Sequence, residues 1–100
     1  MKLYLISDNI DTKMGMRLAG IDGVVAHGEE EVSSALDEAM EKKDVGIILM
    51  TTIAVNACRE RVMRYKLERP TPLIVEIPDR HLTSDVTAAV AQYMREAVGI

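Results

Sequence analysis

Apolar residues in this chain gather in four short runs, and between the runs they recur every third or fourth position. The first run, Lys2 to Ser7 (KLYLIS), ends at the turn-forming pair Asp8-Asn9 and predicts a strand. Asp11 or Thr12 can then cap a helix running through Ala19, in which Ile10, Met14 and Leu18 recur every fourth position. Gly20 follows and suits a left-handed helix cap. Gly23 to His27 (GVVAH) is a second, brief strand.

Glu29 to Lys43 has the clearest helical period, with Val32, Leu36, Ala39 and Met40 on one stripe. Glu29, Glu30 and Glu31 stand in its first turn and Lys42-Lys43 in its last, the order that the helix dipole favours. Val45 to Met50 (VGIILM) shows no alternation, which predicts a strand covered on both faces, as in a parallel sheet. Thr51 or Thr52 can cap a third helix to about Glu68, with Ala54, Cys58, Val62 and Tyr65 as its buried stripe. Pro70 and Pro72 stop that helix. Leu73 to Ile77 is the fourth strand, bracketed by Pro72 and Pro78. A last helix runs from Thr83, Ser84 or Asp85 to Val98.

Strands alternating with helices over short connections imply a parallel sheet with right-handed crossovers. The expected fold is therefore a small flavodoxin-like α/β domain, a four-stranded parallel sheet in the order 2-1-3-4 flanked by helices. One domain spans residues 1–100: a sheet core with three helices over residues 1–78, then a C-terminal helix over 83–98 set aside as a mobile or partner-binding element.

Composition narrows the function. A chain of 100 residues with net charge −4 lacks the concentrated positive charge that nucleic acid requires. Three tyrosines are its only aromatics, too few for a base-stacking platform. No apolar stretch approaches the ~20 residues of a membrane helix, so direct membrane insertion is not expected. No secretory leader is visible, and the single cysteine, Cys58, fits a reducing cytoplasm.

In a sheet of this kind ligands bind at the carboxyl ends of the strands, where the winding reverses. Ser7, Asp8 and Asn9 would line one side of that crevice, and Thr51 and Thr52 the other. A phosphoryl-receiver site needs paired acids after strand one and an acceptor aspartate after strand three, but Met50-Thr51 stands at the second place. A nucleotide site needs glycines that let backbone amides reach a phosphate, and neither GxGxxG nor GxxxxGK[ST] occurs. Asp8 reads as a turn residue and Asp11 as a helix cap. Cys58 reads as a buried structural thiol, and the isolated His27 and His81 make no metal site. No catalytic, cofactor-binding or metal-binding residue is assigned. The alternative kept open is a small enzyme or signalling domain with an unrecognised site around Asp8 and Thr51.

Two surface features remain. Arg59, Arg61, Arg64, Lys66 and Arg69 concentrate positive charge late in the third helix, scattered around its axis. The C-terminal helix carries Val86, Val90, Tyr93 and Ala97 on one stripe, and Ala89, Ala91, Met94 and Val98 widen the apolar arc to about 200°, against about 100° for one-sided burial. Val90, Met94 and Val98 are therefore the candidate partner interface.

The chain resembles a known family on several of these segments. Asp8 follows strand one; Gly15 to Gly20 reads Gly-Met-Arg-Leu-Ala-Gly; Gly46 to Leu49 reads Gly-Ile-Ile-Leu, followed by Thr51 and a helix. Pro72 to Pro78 reads Pro-Leu-Ile-Val-Glu-Ile-Pro. In order and spacing this is similar to the F subunit of the V-type/A-type rotary ATP synthases, in the short prokaryotic form, over essentially the whole length. Ser7 and Asp79-Arg80-His81 stand where members often carry glycine. The resemblance implies a non-catalytic rotor component of the central stalk. It would bind the coiled-coil D subunit and turn inside the ring of catalytic and regulatory subunits. In that way it would help couple ATP hydrolysis or synthesis to proton or sodium transport, on the cytoplasmic side and attached to the membrane only through the complex. No cofactor is implied.

Overall fold

The computed structural model describes residues 1–78. Its elements run β1 (Lys2–Ser7), α1 (Ile10–Leu18), β2 (Asp22–Val25), α2 (Gly28–Met40), β3 (Val45–Thr51), α3 (Thr52–Ala57), α4 (Arg59–Glu68) and β4 (Leu73–Ile77). All neighbouring strands pair in parallel, in the order β2-β1-β3-β4, which is the expected topology. The C-terminal helix expected over 83–98 lies outside the described residues.

The two faces of the sheet carry two separate cores. Ile6, Ile48, Met50 and Ile74 point to the face covered by α2, α3 and α4, where Val32, Leu36, Ala54 and Val62 meet them. Leu3, Leu5, Ile47, Leu49 and Ile77 point to the other face, where Met16 of α1 packs. Strand residues alternate between faces, so β3 can read as unbroken apolar sequence only because both faces are covered. Ile48 is fully buried, and burying such a side chain stabilises by about 1.5–3 kcal/mol.

Local chemistry sets where the elements begin and end. Asn9, not Asp11 or Thr12, caps α1: its side-chain oxygen accepts from the backbone N–H of Thr12 at 2.8 Å. Asn9 is extended and sits one residue before the helix, which is the geometry this capping bond requires. Gly20, at φ 82°, closes the other end as expected, with its N–H on the Arg17 carbonyl and that of Ile21 on Met16. The second strand is Asp22–Val25, so His27 lies beyond it and precedes α2. Helix α2 ends at Met40, which leaves Lys42 and Lys43 outside it; Lys42 instead places its ammonium 5.2 Å from the Tyr4 ring centroid.

Two further expectations change. The third helix is not continuous: Cys58 (φ −143°, ψ 47°) leaves helical geometry and divides α3 from α4. No glycine or proline lies between Thr52 and Arg69 to announce the break, although the β-branched and Asn residues of α3 hold a helix weakly. The apolar period of α1 also faces the opposite way from that of a helix buried on its stripe. Thr12 and Met16 are buried, whereas Ile10, Met14 and Leu18 are 54, 61 and 91% exposed.

Candidate functional site

The switch-point crevice is closed by its own hydrogen bonds. Ser7, fully buried at the end of β1, donates its hydroxyl to the Asn9 carbonyl at 2.8 Å and accepts from the Asn9 N–H at 3.0 Å. The backbone N–H of Asp8 donates to Thr51 Oγ1 at 3.2 Å, across 43 residues of sequence. That same oxygen caps α3 by accepting from the Ala54 N–H at 3.4 Å. Thr52 donates its hydroxyl to the Ile77 carbonyl at 3.2 Å. Asp8 accepts from the Asn9 side-chain amide at 3.1 Å.

Every residue expected to line the crevice is therefore present there, and each serves the turn between strand and helix. Thr51 Oγ1 thus joins the loop after β1 to the start of α3. Thr12 Oγ1 is buried without a hydrogen-bond partner among the described residues, while the Thr12 N–H is taken by the Asn9 side chain. Among the described residues, no three His, Cys, Asp or Glu side chains converge as a metal site would require.

Two residues of the basic stretch after Cys58, Arg61 and Arg69, tie α4 and its C-terminal cap to α2. Arg61 pairs with Asp37, and Arg69 reaches the Met40 carbonyl at 3.3 Å and Glu41 at 3.7 Å. Arg59 bonds Asn56. A surface cavity of about 300 Å³ lies beside the helix break, lined by Ser33, Cys58, Arg59, Arg61 and Arg64 among others. Cys58 itself is 6% exposed, with its thiol directed to the Ala54 carbonyl, and burial pushes its pKa up. A buried thiol held in its neutral form is a poor nucleophile.

His27 is exposed on the loop before α2. His81 and the candidate interface residues Val90, Met94 and Val98 lie outside the described residues. The feature that sequence reasoning did not single out is the outward stripe Ile10, Met14 and Leu18. Its signal was the four-residue period itself, whose direction depends on which side of α1 meets the sheet.

Comparison with known proteins agrees with a crevice whose polar groups are spent on its own turns. The family model of the ATP synthase (F/14-kDa) subunit matches residues 3–98. The F subunit of the A-type ATP synthase of Thermococcus kodakarensis is 33% identical, over 100% of this chain and 96% of that protein. The F subunits of the A-type ATP synthases of Pyrococcus abyssi and Methanocaldococcus jannaschii are 32% and 29% identical. Those matches cover 100% of this chain and 96% and 97% of the two relatives. No helix among the described residues is long and apolar enough to cross a membrane. Because the family model runs from the start of β1 to residue 98, the chain belongs to the family of the ATP synthase (F/14-kDa) subunit, a non-catalytic part of its complex.

Proposed function

We propose that this protein is a rotor component in the central stalk of an A-type ATP synthase, where it binds the coiled-coil D subunit. In this reading the pair turns inside the ring of catalytic and regulatory subunits and helps couple ATP hydrolysis or synthesis to the movement of protons or sodium ions. It works on the cytoplasmic side and is held at the membrane only through the complex. The match of the family model over residues 3–98 carries the reading. The crevice supports it, because its polar groups bond one another and leave the helix exteriors as the working surface.

The C-terminal helix expected over 83–98 contributes to that grip, with Val90, Met94 and Val98 in the contact. Purifying the tagged chain from its own cells should bring the other ATPase subunits with it, and titration with the purified D subunit should give saturable binding. Met94→Asp with Val98→Asp should weaken that binding by about tenfold or more, since an unpaired carboxylate is costly to bury. The circular dichroism spectrum should be unchanged. A chain that elutes alone and ignores the D subunit would sink the reading.

A further inference from the structure

The outer face of α1 is apolar where a surface helix is ordinarily polar. Ile10, Met14 and Leu18, at 54, 61 and 91% exposure, fall within about 80° of one another around the axis and extend over about 12 Å. They lie opposite Met16, which meets the sheet. Lys13 and Arg17 stand one turn apart on one flank of this stripe, and Asp11 and Gly15 on the other. Neither Lys13 nor Arg17 forms an ion pair among the described residues.

We propose that this stripe is a docking surface for an α-helix of another protein of the complex, one whose own apolar stripe is bordered on one side by acidic residues. Residues at i, i+4 and i+8 form the ridge that packs into the groove of a facing helix. The flanking charges choose the partner. Lys13 and Arg17 are a local positive edge on a chain of net charge −4, and they favour carboxylates opposite them. Antiparallel packing of two copies of this chain would set the two basic edges against each other, which disfavours self-association through the stripe. A two-turn ridge is smaller than the roughly 800 Å² per partner of a stable interface, so it forms one part of a larger contact.

This inference rests on the reading of the chain as a stalk component, and two experiments separate them. In the first, a benzophenone amino acid replaces Leu18 in the full chain in its own cells, and the irradiated ATPase complex is purified and mapped. An adduct to a helical, acid-flanked segment of another ATPase subunit is expected. Adducts confined to residues 79–100 of the same chain or to a second copy would overturn the proposal. So would no adduct from a chain that still co-purifies with the complex.

In the second, the purified D subunit is titrated against Met14→Asp with Leu18→Asp, beside Met63→Asp with Leu67→Asp on α4 as a control. The α1 variant should bind about tenfold or more weakly and the α4 variant like the parent, with both retaining their circular dichroism. Should the α1 variant melt early, Leu18→Ser alone should still lose about threefold. Lys13→Glu with Arg17→Glu should weaken binding by about fivefold at low salt and less at high salt. Unchanged affinity in all three α1 variants, together with no Leu18 adduct to another ATPase subunit, overturns the stripe and leaves the proposed stalk pairing standing. A parent chain that ignores the D subunit, yet cross-links through Leu18 to another ATPase protein, overturns that pairing and upholds the stripe.

Discussion

Arg61 of α4 donates from one nitrogen, Nη1, to both carboxylate oxygens of Asp37 on α2, at 3.0 and 2.8 Å. Tyr65, one turn further along α4, donates its hydroxyl to the same carboxylate at 2.6 Å. The two side chains of the ion pair are 39 and 44% exposed, so solvent screens the charge pair and it adds little by itself. The phenol bond adds about 1 kcal/mol. Asp37→Ala should therefore cost about 1–2 kcal/mol in chemical denaturation. A double-mutant cycle with Tyr65→Phe should show coupling of about 0.5 kcal/mol or more. Strict additivity would mean that the two residues do not share the carboxylate in solution.

Burial, and after it the bond to Asp37, raises the Tyr65 phenol above its ordinary value. The folded chain then holds that proton more tightly than the unfolded chain does. The associated stability is complete below about pH 10 and is lost as pH rises through the folded value. Tyr4 shifts the same way, from burial first and then from Glu38 and Asp22. The stability gap between the parent and Tyr65→Phe should hold up to about pH 10 and narrow as pH rises above it. A gap that stays constant above that pH would contradict the linkage.

Ile48 lies on an inner strand, is fully buried and packs in the core beneath α2 and α3. Truncation to alanine should cost about 2–5 kcal/mol, read from the midpoint of a denaturant titration at unchanged slope. A cost under about 1 kcal/mol would be incompatible with this burial.

Two strand glycines should respond differently to the same change. A Cβ on Gly23 of β2 would lie 2.6 Å from both Cβ and the carbonyl oxygen of Leu5, its partner in register. Backbone cannot yield as a side chain can, so Gly23→Ala should cost about 1–3 kcal/mol. A Cβ on Gly46 meets only the side chain of Met1, which is 78% exposed and free to turn away. Gly46→Ala should stay within about 0.5 kcal/mol of the parent in thermal melts. Equal costs at both sites would mean that Leu5 does not approach Gly23 as described.

Much of the crevice was legible before folding. Ser7, Asp8, Asn9, Thr51 and Thr52 sit where the strand ends place them, and no phosphate loop or paired acids stood among them. Their use was less visible. That Thr51 holds the Asp8 amide depends on β1 and β3 lying side by side, which joins loops 43 residues apart. The helix cap at Asn9 was missed because Asn9, Asp11 and Thr12 are all capable caps, and only the backbone conformation selects among them.

By itself the sequence determined the alternation of strands and helices, the unbroken apolar β3, and the left-handed turn at Gly20. These follow from local propensity and from period, which need no distant partner. The tertiary structure alone decided that the helix after β3 breaks at Cys58 and that Ile10, Met14 and Leu18 face outward. Period shows that α1 has an apolar stripe but not what the stripe faces. The sheet meets Thr12 and Met16 because the turn at Ser7–Asn9 and the cap at Gly20 fix how α1 is rotated against β1 and β2.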